Sequence, residues 1–141
     1  MTEIELVKFL LPKILMATTC GVIIGSEREL KKKVAGIRTH VLICVGATLF
    51  TSIGFILLDN DYKVDLTRII GQIITGIGFL GGGVIFKNAD NVIGVTSAAF
   101  IWFIASIGVL IGVGYLLTPF LLTLGLLIIS LFFHYLEKFL K

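Results

Sequence analysis

Forty-two consecutive residues, Val92 to Phe133, contain no charged side chain. A helix rises about 1.5 Å per residue and needs about 20 residues to cross the apolar layer of a bilayer. The run is twice as long as one crossing requires, so it must turn once and supply two helices. Gly112-Val113-Gly114-Tyr115 and the Thr118-Pro119 pair are the turn signals near its middle. Whole-chain composition agrees: 57% hydrophobic residues, 15% charged residues and a mean hydropathy of +1.06 lie outside the soluble range. At 141 residues there is room for about five crossings in one transmembrane domain, which predicts an all-α, polytopic membrane fold.

The predicted spans are 4–25, 41–58, 69–86, 92–112 and 116–134. The first is the least regular, because Glu5, Lys8, Pro12 and Lys13 fall in its first half, where lysine stems can snorkel toward an interface. A four-span alternative leaves the first or last segment lying in the interface. Between the first two spans, Ser26 to His40 holds Glu27, Arg28, Glu29, Lys31, Lys32, Lys33 and Arg38. This strongest basic cluster belongs on the cytoplasmic side by the rule that Lys and Arg gather there. Asp59-Asn60-Asp61-Tyr62-Lys63 is then an external acidic turn and Lys87-Asn88-Ala89-Asp90-Asn91 a cytoplasmic one, with the N-terminus outside and the C-terminus inside.

Six glycines occupy the third span, at Gly71, Gly76, Gly78, Gly81, Gly82 and Gly83. Glycine costs about 1 kcal/mol against alanine within a helix, a cost recovered in lipid where small residues let backbones approach. This span is the expected packing hub, with Gly21/Gly25 and Gly108/Gly112 as further close-approach pairs at i, i+4.

Enzyme and nucleotide signatures find no support. Gly76-Ile77-Gly78-Phe79-Leu80-Gly81 has the letters of a phosphate loop without the preceding strand or the later acidic residue. No G-x-S-x-G or HExxH occurs, and His40 and His134 are far apart. No catalytic residue, metal site or cofactor is assigned. Cys20 and Cys44 lack CxxC spacing and read as buried thiols. A net charge of +3 reflects topology, not a nucleic-acid partner.

Polar side chains do gather at the predicted cytoplasmic ends. Glu27 and Arg28 close the first span, Arg38, Thr39 and His40 open the second, and Thr96 and Ser97 open the fourth. They are expected to meet in one cluster, with an ion pair Glu27–Arg38 or Arg28–Glu29 inside it. Arg68 and Gln72, one turn apart behind Asp65, form an outer polar pair. No Asp or Glu lies in the middle of a predicted span, so an acidic filter for a hard cation is absent.

Four segments carry a family resemblance: Gly25-Ser26-Glu27-Arg28-Glu29, Ala35-Gly36-Ile37-Arg38-Thr39-His40, Gly76-Ile77-Gly78-Phe79-Leu80-Gly81-Gly82-Gly83-Val84-Ile85, and Gly94-Val95-Thr96-Ser97-Ala98-Ala99 with Trp102. In this order and spacing, over residues 10–115, the chain resembles the MgtC/SapB family, with Gly82 where alanine is usual and Ser97 where a second threonine is common. The resemblance implies a bacterial inner-membrane protein of four or five helices, associated with adaptation to low magnesium and, in pathogens, with survival inside host cells. It implies a non-enzymatic modulator of other membrane machinery, such as a larger transporter or an ATPase. Besides the lipid bilayer, the expected partner is a second copy, a dimer being favoured. A small magnesium or ion transporter or channel is the alternative. The chain ends at Lys141, so a soluble C-terminal domain found in longer members is not carried over. The topology yields a direct expectation: a reporter fused after Lys33 reads cytoplasmic, and one fused at Asp61 reads external.

Overall fold

A computed structural model describes residues 2–59, 63–87 and 91–140. Five helices follow one another: α1 (Glu3–Leu30), α2 (Ile37–Asp59), α3 (Leu66–Gly83), α4 (Val95–Val113) and α5 (Leu117–Phe139). Between α3 and α4, β1 (Phe86–Lys87) pairs antiparallel with β2 (Val92–Ile93). Residues 60–62 and 88–90, the centres of the two predicted polar turns, lie outside the described residues.

The helix ends follow local chemistry. Thr2 and Glu5 form a reciprocal capping box on α1, which then runs unbroken through Pro12 and past the predicted end at Gly25 to Leu30. It extends because Glu27 and Arg28 are buried against the bundle. Asp65 caps α3 by accepting from the Thr67 and Arg68 amides at 3.0 and 3.3 Å. The third helix stops at Gly83, short of the predicted Phe86, where three successive glycines give way to the β-branched Val84 and Ile85. Gly94 opens α4 with φ +91°, and a side chain there would run into the Val84 carbonyl, so this turn requires glycine twice over.

Neighbouring contacts give the helix directions. Gly21 faces Val41 and Gly25 faces Ile37, so α1 and α2 are antiparallel. Gly108 meets Cys44 and Ala47 while Gly112 meets Thr48 and Thr51, so α2 and α4 are parallel. Gly54 meets Leu66 and Ile69 at one end of α3, and Gly81 lies at Ala98 at the other. Ser130 of α5 reaches Glu27 of α1, and Thr123 lies at Cys20, so these two helices are parallel. All five helices alternate in direction. Four of them, α1, α2, α4 and α5, are long and apolar enough to cross a membrane. At 18 residues, α3 runs alongside α2 and α4 but carries too many glycines, with Arg68 and Gln72, to reach the same apolarity.

The tightly packed centre is α2 held between α1 and α4. Ala17, Cys20, Ile24, Cys44, Ile104, Ile107 and Ile111 are almost completely buried there. A Cβ on Gly21 would stand 2.6 Å from Val41 Cα, and one on Gly112 would stand 2.8 Å from the Thr48 carbonyl oxygen. These helices touch through their main chains. The expected hub on α3 is not realised within the chain. Gly71, Gly76, Gly78, Gly82 and Gly83 are exposed, with nothing within 4 Å of an added Cβ, and only Gly81 approaches a neighbour, 3.7 Å from the Ala98 methyl. The reason is periodicity: Ile69, Ile73 and Ile77 share one face at i+4 spacing and turn it inward, which sends most of the glycines outward.

These observations separate two kinds of glycine. Gly112→Leu, which overpacks the α2–α4 seam, should destabilise the fold by about 1–3 kcal/mol. Gly78→Leu should not. Thermal melting of both variants in a mild detergent checks the difference.

Candidate functional site

Polar side chains are buried at both ends of this apolar bundle, and each end has a different chemistry. At the end where α1 finishes, Glu27 and Arg28 are both buried. Glu27 Oε1 accepts from Ser130 Oγ at 3.0 Å and pairs with the Lys31 ammonium, while its Oε2 faces Arg28 Nη1 at 3.4 Å. The Arg28 guanidinium lies over the Phe100 ring, 4.2 Å from its centroid. One carboxylate thus offsets two cations, with a hydroxyl on the carboxylate and an aromatic face against the guanidinium.

The same end assembles the start of α2. Glu29 reaches across the turn, and its Oε2 accepts from the Ile37 amide at 2.9 Å, capping α2 from outside the helix. Completely buried His40 bonds through Nδ1 to the Gly36 carbonyl at 2.8 Å, and among the described residues its Nε2 has no partner. A Cβ on Gly36 would stand 2.6 Å from Glu29 Oε2, so a side chain there would have to displace the capping carboxylate. These contacts explain why the Ser26–Glu29 and Gly36–His40 segments belong together: the second is folded onto the first.

Of the seven residues assigned to the cytoplasmic cluster, Glu27, Arg28, His40 and Ser97 are buried at this end. Thr96 is exposed and lines a cavity together with Arg28. Arg38 and Thr39 do not join it; they are exposed and line a separate shallow recess with Glu29. The expected ion pairs are replaced. Among the described residues Glu27 pairs with Arg28 and Lys31, not Arg38, and Glu29 is engaged by a backbone amide, not by Arg28. The cause is helical geometry: a turn separates Glu27 from Lys31, whereas Arg38 opens α2 on its outer side.

At the opposite end, Lys13 is only 6% exposed. Its ammonium donates to the Gly112 carbonyl at 2.8 Å and to Ser52 Oγ at 3.4 Å, and lies 3.8 Å from the Phe9 ring centroid. Gly112 belongs to the last turn of α4, where the helix dipole is negative. Lys13 therefore neutralises a helix end within the bundle, where snorkelling was expected. The signal was present in the sequence: Lys13, Ala17, Gly21 and Gly25 repeat at i+4, which places the lysine on the close-packed face of α1. Between the two ends, Thr48 Oγ1 bridges the Cys44 and Gly108 carbonyls, both at 2.9 Å, and Ser52 Oγ donates to the Gly112 carbonyl at 3.2 Å. Ser130 and Phe100 gave no such signal, because they meet Glu27 and Arg28 only through tertiary packing.

Arg68 and Gln72 line a broad apolar cavity of about 690 Å³ between α2 and α3, walled also by Phe50, Gly46, Gly76 and Leu80. Nearby, hydrogen bonds from the Thr67 hydroxyl and the Arg68 amide hold the exposed Asp65 carboxyl below its ordinary pKa, as expected of a working helix cap. No group of three or more His, Cys, Asp or Glu side chains converges among the described residues.

Alternating apolar helices, charges drawn into the bundle at its two ends and an outward-facing apolar surface define a multi-pass helical membrane protein. The MgtC family profile matches residues 14–139, and the chain belongs to that family. It is 44% identical over 112 residues to the Escherichia coli K12 protein named "Putative magnesium transporter YhiD", covering 76% of this chain and 52% of that one. It is 43% identical over 94 residues to Protein MgtC of Brucella abortus, covering 67% and 38%, and 43% identical over 102 residues to Protein MgtC of Salmonella typhimurium, covering 72% and 42%. The chain therefore spans about half or less of these relatives. No solved structure matches it.

The buried ion cluster makes a clear demand on stability. Glu27→Gln strands Arg28 without a counter-charge and should cost about 3 kcal/mol. Thr48→Val removes one interhelical bond and should cost about 0.6 kcal/mol. Melting temperatures in detergent should fall in that order.

Proposed function

We propose that this chain is a non-enzymatic bacterial inner-membrane protein that modulates other membrane proteins during adaptation to low magnesium, through helix contacts made by α3. The observation that carries this reading is the unpartnered outer face of that helix. Gly71, Thr75, Gly78 and Gly82 follow one another at intervals of four, three and four residues, all exposed. Thr75 folds its hydroxyl back onto the Gly71 carbonyl at 2.9 Å, which keeps the stripe small and free of an unpaired donor. In lipid, where apolar burial drives no association, such a surface gains from close contact with another helix. The occupant is a second copy, most simply as a dimer, or a span of a larger transporter or ATPase.

The proposed orientation has the N-terminus outside and the C-terminus in the cytoplasm. Eight of the twelve Lys and Arg residues then lie on the inner side, Arg28, Lys31, Lys32, Lys33 and Arg38 among them. The second reading, a small oligomeric magnesium or ion transporter or channel, draws on the name carried by the Escherichia coli relative. It finds little help in the buried charges, because Lys13 and Arg28 are cationic and Glu27 is already shared by two cations.

One experiment addresses both. Affinity-tagged protein purified in mild detergent should retain a second copy or a membrane partner, and Gly78→Leu with Gly82→Leu should abolish that association and the low-magnesium phenotype while leaving the melting temperature near its original value. Unchanged association and phenotype would remove the helix-contact reading. Magnesium flux into vesicles above the empty-vesicle background, lost on changing Gln72 or Arg68, would favour the transporter.

A further inference from the structure

At the basic end of the bundle, a cavity of about 260 Å³ opens between α1, α4 and α5. It holds many times the volume of one water molecule, about 30 Å³. One side carries Arg28, Lys31 and Lys33; the other is formed by apolar residues of α5, notably Ile129 and Phe133. Among the described residues Glu137 is the only carboxylate on its wall.

The notable feature is how little the structure does with Arg28. A guanidinium has five N–H donors. Here the residue is 3% exposed, Nη1 makes one long contact of 3.4 Å to Glu27, and among the described residues Nε and Nη2 have no hydrogen-bond partner. Glu27 is shared, since its other oxygen is engaged by Ser130 and Lys31. A buried guanidinium with unspent donors is costly, and an oxyanion accepting from its planar fork relieves the cost. Lys31 and Lys33 add charge without geometric demand, as cations do around a phosphate. The apolar half of the cavity continues onto the exposed face of α5, where Ile129 and Phe133 are each about half exposed. A ligand that fits both halves is an amphiphile with its anionic group at the bundle's end and its chain along α5.

We infer that this cavity binds a phosphate group, that of an anionic phospholipid headgroup, seated against Arg28 and between Lys31 and Lys33. Basic pockets between helix ends at the inner leaflet are suited to such headgroups. The proposal is independent of what covers α3, because the cavity lies on the α1, α4 and α5 side of the bundle.

The test uses the full chain in mild detergent, titrated with phosphatidylglycerol, phosphatidylcholine or inorganic phosphate, with bound lipid read by native mass spectrometry and affinity by titration. Phosphatidylglycerol should bind at least tenfold tighter than phosphatidylcholine. Lys33 is exposed and its side chain makes no hydrogen bond or ion pair among the described residues, so Lys33→Gln should fold normally and weaken phosphatidylglycerol binding about fivefold, the equivalent of about 1 kcal/mol for one basic residue. Arg28→Lys, which keeps the charge and loses the planar fork, should weaken it tenfold or more. Glu137→Gln should tighten it. Inorganic phosphate binding that depends on Arg28, without a preference among the lipids, would overturn the lipid assignment in favour of a soluble phosphate. Equal affinities in Lys33→Gln and Arg28→Lys and the unmodified chain would overturn the site itself.

Discussion

Close contact between α2 and its two neighbours is the constraint from which the rest of this bundle follows. In lipid, apolar side chains lose nothing by facing outward, and many do: Phe50, Trp102, Ile128 and Phe132 are all more than half exposed. Helices must therefore be held by backbone proximity and by polar bonds. Gly21 and Gly25 bring α1 onto the first turns of α2, and Gly108 and Gly112 bring α4 onto its middle. The same proximity lets Thr48 and Ser52 reach carbonyls of α4 across the seam. A side chain at these four glycines would separate the backbones and break those bonds together.

That seam also determines where charge is tolerated. A bare ammonium or guanidinium within a bundle is costly, and each end meets the cost differently. Lys13 is accepted because the seam places the last carbonyls of α4 beside it. Arg28 is accepted with a shared carboxylate and an aromatic face, a less complete arrangement that leaves two of its nitrogens unpaired among the described residues. The contrast is between a cation satisfied by the fold and one with capacity left over.

Much of this could be read from the residues alone, and the exceptions share a cause. Uncharged runs mark the helices because hydropathy is a property of the segment itself. The 42-residue run divides at Gly114, where φ is +121°, as its turn signals indicate. The pairs Gly21/Gly25 and Gly108/Gly112 locate close contacts because i+4 spacing defines a face. The third helix was harder. Counting six glycines says that close approach is permitted somewhere, but the direction of approach is decided by which face Ile69, Ile73 and Ile77 claim. Likewise the composition of the basic loop says that charges gather there, yet the choice of Lys31 over Arg38 as partner of Glu27 rests on a helix that continues five residues beyond Gly25.

The position of α3 follows from the same balance. It is attached to α2 and α4 by a narrow line of contacts, with only Ile77 and Gly81 buried. On one side a cavity separates it from α2, where Gly46 and Gly76 leave space instead of filling it. A helix so rich in glycine is capped by Asp65 at one end and followed at the other by the short antiparallel pairing of β1 with β2. Within a single chain that is a poor use of six glycines, each of which weakens the helix it sits in. Backbone contact on the outer face would recover that cost, and this is the energetic ground for the helix contact proposed for α3.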